Sequence, residues 1–303
     1  MIDDAATLTR DDLSRVLVVG NGKGGVGKTS ICANVAGLAA TAGYRVLLVD
    51  LDPQGNLLDD LGLVGSDIDD GGEALAQTLL RGVDLAPKPT GRANLELVVG
   101  GEALRDVPSM LAGRAARGAG ITNILAKPLQ NYLEQHGPYD LVLIDTPPGD
   151  VLLQRAALEA GRWLLIPTKS DTASLRGTEK IVQQLVAARD INPEIDLLGV
   201  ALFDIPTSAT ALRREVQQNL ETMLGGVAPM LTSVVRSTVA GEKARRAGKL
   251  VHEYSDSLSS EKFWQALREK RKPTNPGAAP DLARDHFELT HELLTLISAK
   301  EKS

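Results

Sequence analysis

The chain has 303 residues, 43% of them hydrophobic and 24% charged, with 39 acidic against 33 basic side chains and a formal net charge of −6. These values describe a globular protein long enough to bury a sizeable core, and they argue against a generally basic nucleic-acid binder. One cysteine, Cys32, leaves neither an internal disulfide nor a Cys-x-x-Cys metal or cluster site; no apolar run approaches a membrane span, and the start Met1-Ile-Asp-Asp lacks the apolar stretch of a signal peptide, so a cytoplasmic protein is expected.

The first predicted element is the apolar run Arg15-Val-Leu-Val-Val-Gly20, read as a strand over Val16–Val19. It leads into Gly22-Lys-Gly-Gly-Val-Gly-Lys-Thr29, which fits G-x-x-x-x-G-K-[ST], and a helical pattern follows from Thr29 to Thr41. Strand, loop and helix in this order are the setting of a phosphate-binding loop. Glycines let backbone N–H groups turn toward a polyphosphate, Lys28 has the reach for the β- and γ-phosphates, and the Thr29 hydroxyl is a candidate Mg²⁺ ligand. The helix adds its positive end. The candidate nucleotide-binding set is Gly22, Lys23, Gly24, Gly25, Val26, Gly27, Lys28, Thr29 and Ser30. Cys32 falls in this helix, where packing is its expected role.

Val46–Val49 reads as the next strand, and it ends in Asp50-Leu-Asp52-Pro-Gln54-Gly-Asn56. Carboxylates spaced i, i+2 lie on the same side of an extended chain, which beside a nucleotide is where Mg²⁺ or an attacking water would sit. Val64–Gly72 and Pro87–Arg92 read as polar surface loops, and Leu95–Val99 as a strand. Leu141–Ile144 is an apolar strand that ends in Asp145-Thr-Pro-Pro-Gly149; Asp145 is placed to hold Mg²⁺, through water, opposite Thr29. Strands at Trp163–Ile166 and Leu197–Leu202 alternate with helices at Ser174–Arg189 and Ala209–Leu224. The strands are mostly continuous apolar runs, as expected of parallel strands covered on both sides. The fold class that follows is α/β: a doubly wound, mostly parallel sheet with helices on both faces, whose ligands bind at the carboxyl ends of the strands.

Charge is uneven. Between Ile205 and Leu250 the basic residues Arg213, Arg214, Arg236, Lys243, Arg245, Arg246 and Lys249 outnumber the acidic ones, so this segment is +4 and the remainder −10. These seven are the candidate polyanion contacts, with the Arg268–Lys272 run next in line. On a helix, Lys243 with Arg246 and Arg245 with Lys249 would share faces. Lys272-Pro-Thr-Asn-Pro-Gly-Ala-Ala-Pro280 reads as a hinge-like break, and Asp281–Ala299 as an amphipathic helix of mixed charge. Two units are therefore expected: a phosphate-loop domain over residues 1–271, and over 272–303 the break and a helix docked on that domain. The four histidines, His136, His252, His286 and His291, lack metal-ligand spacing, and surface or packing roles are expected of them.

The string Lys23-Gly-Gly-Val-Gly-Lys-Thr29 resembles the deviant phosphate loop of the ParA/MinD class of ATPases. The segments at 50–56 and 145–149 are similar to that class's first and second switches, and looser similarity extends over about residues 14–256. The resemblance implies an ATPase that uses ATP and Mg²⁺. Lys23 would cross a homodimer interface to the partner's ATP, Asp52 would orient the hydrolytic water, and Asp50 would support the Mg²⁺ hydration shell. It also implies nonspecific DNA binding by the ATP-dimer through the C-terminal basic region, nucleoid association, and a ParB-like activator. The family more often has Pro-Pro-Ser where this chain has Pro147-Pro-Gly149. Thr232–Arg236 and Ala240–Lys249 resemble its adenine-side and DNA-facing segment. About fourteen residues precede the first strand, so an N-terminal helix-turn-helix is not expected.

Competing classes share parts of this pattern. A MinD-type membrane-surface regulator calls for a basic amphipathic C-terminal helix, and the mixed charge of Asp281–Ala299 favours docking over membrane binding. An electron-transfer protein like the nitrogenase iron protein calls for cluster cysteines that Cys32 alone cannot supply. A small-molecule ligase such as dethiobiotin synthetase would share the phosphate loop without needing the Asp50/Asp52 string.

Overall fold

A computed structural model of the chain describes residues 10–205, 210–223, 229–259 and 277–301. The apolar runs form one eight-stranded sheet. Its strands are β1 (Val16–Val19), β2 (Val46–Asp50), β3 (Lys88–Pro89), β4 (Leu95–Val98), β5 (Leu141–Asp145), β6 (Trp163–Thr168), β7 (Asp196–Ile205) and β8 (Met230–Arg236). The spatial order is β3-β4-β2-β5-β1-β6-β7-β8. All neighbours are parallel except β3 and β4, as the continuous apolar runs predicted. Two strands went unread in the sequence pattern. β3 is a two-residue antiparallel edge within the stretch expected as a loop, and β8 carries alternating rather than continuous burial.

The helices divide the core into two layers. α1 (Lys28–Thr41), α2 (Asn56–Leu61), α9 (Ala240–Arg246), α10 (Val251–Ser259) and α11 (Ala279–Lys300) cover one face of the sheet. α3 (Glu73–Arg81), α4 (Val107–Ala116), α5 (Ala126–His136), α6 (Val151–Ala160), α7 (Thr172–Ala188) and α8 (Thr210–Met223) cover the other. Strand alternation assigns the side chains: in β1, Leu17 and Val19 join the first layer and Val16 and Val18 the second. Each such fully buried aliphatic side chain contributes about 1.5–3 kcal/mol over exposure.

α11 closes the edge of the sheet. Leu282, Leu289, Leu293 and Ile297 recur at helical spacing, and all are buried. Glu292 accepts hydrogen bonds from the backbone N–H groups of Thr232 and Ser233 on β8, both at 2.8 Å, and Asp285 accepts that of Arg236 at 3.0 Å. Outward amides of an edge strand are thus satisfied by helix carboxylates, which blunts the edge against pairing with another chain. Residues 272–276 of the expected break lie outside the described residues.

β1 lies between β5 and β6; the chain leaves β1 for β2 on one side, and leaves neighbouring β5 for β6 on the other. That switch point opens a crevice at the carboxyl ends of the strands, where open α/β sheets bind ligands.

Candidate functional site

The phosphate loop is pinned from below before α1 begins. Asn21 is fully buried; its amide donates to Pro167 O at 2.8 Å, and its Oδ1 accepts the Lys23 N–H at 2.9 Å. Gly27 has φ +92°, and a Cβ there would come within 2.5 Å of the Phe203 ring, so position and packing both exclude a side chain. Lys28 starts the helix, is 5% exposed, and donates to Lys23 O at 3.1 Å. Burial lowers its pKa, and Asp145 and Asp52 oppose that shift.

Strand register brings the carboxylates together. Asp50 and Asp145 are partners in adjacent parallel strands, and both are fully buried. The Thr29 hydroxyl donates to Asp145 Oδ2 at 2.6 Å, while buried Oδ1 is without a hydrogen-bond partner among the described residues. Asp50 accepts the N–H of Asp52 at 2.9 Å and that of Leu57 at 3.3 Å; Asp52 accepts that of Gln54 at 2.9 Å. Burial, then the neighbouring Asp145, push Asp50 well above the ordinary carboxylate range, and burial does the same to Asp145. Three carboxylates around one buried ammonium leave negative charge uncompensated in a poorly solvated place. A divalent cation fits this donor set: a hydroxyl, an orphaned carboxylate oxygen and a second carboxylate beside it.

Lys23 is placed differently from Lys28. Its Nζ lies 2.7 Å from Asp171 Oδ1 and 3.4 Å from Ser174 Oγ at the start of α7. Asp171 also caps α7 by accepting the Ser174 N–H, and these hydrogen bonds hold its carboxyl far below the usual range. The turn after β5 is fastened by Gln154, whose amide donates to Pro147 O at 2.7 Å. One cavity of about 460 Å³ runs from Gly24, Lys28 and Thr29 past Asp52 to Phe203 and His286. Val26 is buried beneath the loop, and Ser30 follows Thr29 into α1.

The basic candidates separate. Arg236 is paired with Asp285 at 2.6 and 2.8 Å and with Asp281 at 3.1 Å, and Arg245 makes a two-pronged pair with Asp60. Both line the cavity, Arg236 half-buried and Arg245 still exposed, and the charge of each is engaged by an aspartate rather than left unpaired. Lys243 and Arg246 are exposed, with Arg246 beside Glu242. The expected sharing of a helix face by Arg245 and Lys249 does not form: α9 ends at Arg246, and Gly248 turns the chain at φ +62° before Lys249. Arg214 is exposed on α8. The side chain of Arg213 and the Arg268–Lys272 run lie outside the described residues.

Asn21, Asp60, Gln154 and Phe203 were missed by the sequence reading. Only Asp60 carried a signal, as a lone acid on the apolar side of a short helix.

A glycine loop between strand and helix at the switch point of a parallel sheet places the chain among the phosphate-loop nucleotide-binding proteins. A family model described as an AAA domain matches residues 14–197. The chromosome-partitioning ATPase Soj of Thermus thermophilus is 30% identical over 257 residues, which is 84% of this chain and 94% of Soj. The chain belongs to the ParA/MinD superfamily of ATPases. A Mycobacterium smegmatis structure described as cobyrinic acid a,c-diamide synthase, with bound ATP analogue and magnesium, is 30% identical; it has a TM-score of 0.62 over 86% of this chain and 99% of that one. An ATP complex of a Cyanothece McdA variant shares the fold at 20% identity, with a TM-score of 0.69 over 93% of this chain and 96% of that one.

Proposed function

We propose that the chain is a ParA-type ATPase that positions DNA or another cargo. It binds ATP and Mg²⁺, dimerises around two nucleotides, binds DNA without sequence preference, and releases it when a ParB-like partner stimulates hydrolysis. The observation that carries this reading is the contrast between two lysines on one loop. Lys28 is buried and turned inward, whereas Lys23 is a third exposed at the rim and held by an exposed aspartate. A pair between exposed groups is worth little, so Lys23 is available to a second subunit at small cost.

In this reading the N–H groups of Gly24–Thr29 and the Lys28 ammonium bind the phosphates. Thr29 and Asp145 hold the Mg²⁺, with Asp50 behind it. The metal's chemistry is to neutralise charge on the β- and γ-phosphates. Asp52, on the same cavity wall, orients the water. The alternative, a MinD-type membrane-associated ATPase, needs a helix free to leave the domain. The apolar side of α11 is instead committed to β8, α10 and α1, which supports the DNA reading. No helix among the described residues is long and apolar enough to cross a membrane.

The test is light scattering on the sizing column with ATP, ADP or no nucleotide, together with phosphate release with and without DNA. A dimer with ATP alone, and its loss in Lys23→Ala, is expected. A monomer in all three states sinks the proposal. An ATP-dependent synthase, as the M. smegmatis name suggests, would instead turn over only with a small-molecule acid.

A further inference from the structure

α2 is a six-residue helix that starts four residues after Asp52 and carries two adjacent aspartates. Asp59 faces solvent, and Asp60 is 7% exposed. A short helix rarely buries a carboxylate without a partner. Its partner is Arg245 on α9, 185 residues further along the chain and engaged through Nε and a terminal guanidinium nitrogen. Two further contacts tie α2 to the chain that follows α9, at Gly248 and in α10. Gly62, which ends α2 at φ +70°, lies so close to Gly248 that a Cβ would come within 2.4 Å of the Gly248 carbonyl. Arg92 donates to Leu61 O at 2.9 Å and to both oxygens of Glu253 at 2.6 and 2.8 Å, and Glu253 in turn accepts the Leu250 N–H at 2.9 Å.

The opposite end of α2 is tied to the site. Leu57, in its first turn, donates its N–H to Asp50, and Gln54, just before it, donates to Asp52. One rigid turn and a half of helix, about 9 Å long, therefore joins the strand-end carboxylates to the root of the basic helix.

We propose that Asp60 is a positioning residue that, through Arg245, sets the placement of α9 and its exposed Lys243 and Arg246 according to what occupies the nucleotide site. The inference rests on the DNA-binding reading above and adds the route by which nucleotide reaches the basic face. A cation arriving at Asp50 and Asp52 competes for the carboxylates that anchor α2. Displacement of α2 carries Asp60, and a buried carboxylate does not release its guanidinium partner without a large penalty, so α9 follows. Arg245 is on this account a link and not a DNA contact, although it lies among the most basic residues of the chain.

The experiment is hydrogen exchange by mass spectrometry on the full chain, free and saturated with Mg·ADP or with a non-hydrolysable ATP analogue and Mg²⁺. Wild type is expected to change exchange at three places: residues 22–30, 50–62 and 240–248. Asp60→Asn should keep the first two changes and lose the third, by about fivefold or more, the lower end of ordinary coupling. The isosteric amide keeps the shape but replaces one of the two oxygens that accept from Arg245 with a donor, so the two-pronged pair is lost; unchanged protection at 22–30 reports that the variant is folded and loaded. In a parallel titration, DNA affinity at saturating nucleotide should differ between ATP analogue and ADP in wild type, and that difference should shrink in Asp60→Asn. A variant that keeps the wild-type change at 240–248 overturns the inference and leaves the functional reading standing. Equal DNA binding by wild type in both nucleotide states overturns the functional reading, and this inference with it.

Discussion

At the scale of single residues, the site divides its charges by depth. Lys28 is the buried cation that meets the acidic cluster, so its removal would take away both the proposed phosphate contact and the compensation of Asp145 and Asp52. Lys28→Gln is expected to abolish binding of a fluorescent ATP analogue; normal binding would remove the basis of the proposed chemistry. The proposed function gives Asp52 a later part. Asp52→Ala should bind ATP and dimerise, yet lose about 10²-fold or more of hydrolysis, the usual worth of a group that handles the attacking water's proton or orientation. A phosphate-release assay beside a sizing column separates these steps, and a variant that hydrolyses ATP at the wild-type rate would strip Asp52 of its role.

At the scale of elements, α11 gives two predictions. Leu289 is fully buried between helix and sheet, and Leu289→Ala should cost about 2–5 kcal/mol in urea denaturation. His286 on the same helix is 1% exposed, and burial pushes its pKa down to about 4. The neighbouring Asp285 opposes that shift and His252 adds to it. The unfolded chain takes up a proton below pH 6.5 while the folded chain refuses it until about 4. His286 therefore withdraws stability as pH falls through that window, by about 3 kcal/mol in full. Asp145, raised to about 7 by burial, acts with the opposite sign between its folded and unfolded values, because the folded state then binds the extra proton. Net stability hides both contributions, so the readout is a comparison. Between pH 7.5 and 5, His286→Gln should lose less stability than wild type. An equal loss in the two proteins would show that the ring titrates normally.

The elements also show what a sequence makes legible. The phosphate loop, the strand-end aspartates and the amphipathic C-terminal helix are local patterns, and each was readable because a few consecutive residues carry its physics. Burial on both sides made β1, β2, β5 and β6 continuous and easy to see. β8 alternates because it is an edge, and β3 is too short to have a period. The fate of Arg236 and Arg245 was hidden for a different reason. Their partners, Asp285 and Asp60, are 49 and 185 residues away, and a charge count along the chain cannot distinguish a displayed cation from a neutralised one. Lys249 was misplaced because a pattern of spacings does not register the glycine that ends the helix before it.

At the scale of the whole molecule, a net charge of −6 must be overcome locally for any polyanion to bind. With Arg236 and Arg245 each paired to an aspartate, the remaining candidates at the α9 end are exposed Lys243 and Arg246 and, beyond the helix, half-buried Lys249. Each phosphate contact contributes about 0.9 log units of affinity per log unit of salt. With about three contacts per subunit, dimerisation should steepen the salt slope from about 3 to about 5. Charge reversal of Lys243 and Arg246 should weaken binding to every DNA sequence alike, since phosphate contacts carry no base information. A biosensor titration at several salt concentrations checks both. An unchanged affinity would transfer the face to the Arg213–Arg214 end of α8. Reversal at Arg245 is the wrong probe, because a glutamate there would confront buried Asp60.

The single cysteine of the chain sits fully buried in α1, four residues past Lys28, where burial and the nearby Asp145 and Asp50 raise its thiol pKa well above the ordinary value. A thiol reagent can reach Cys32 only when the helix behind the phosphate loop comes away from the sheet. The chain thus contains its own clock for opening of the nucleotide end, free of competing sulfhydryls. Labelling should be slow in the free protein and slower with nucleotide, by about a hundredfold when ligand stands at a hundred times its dissociation constant. Plotted against nucleotide concentration, labelling half-lives would yield affinities for ATP, ADP and their analogues with no fluorescent tag and no partner protein.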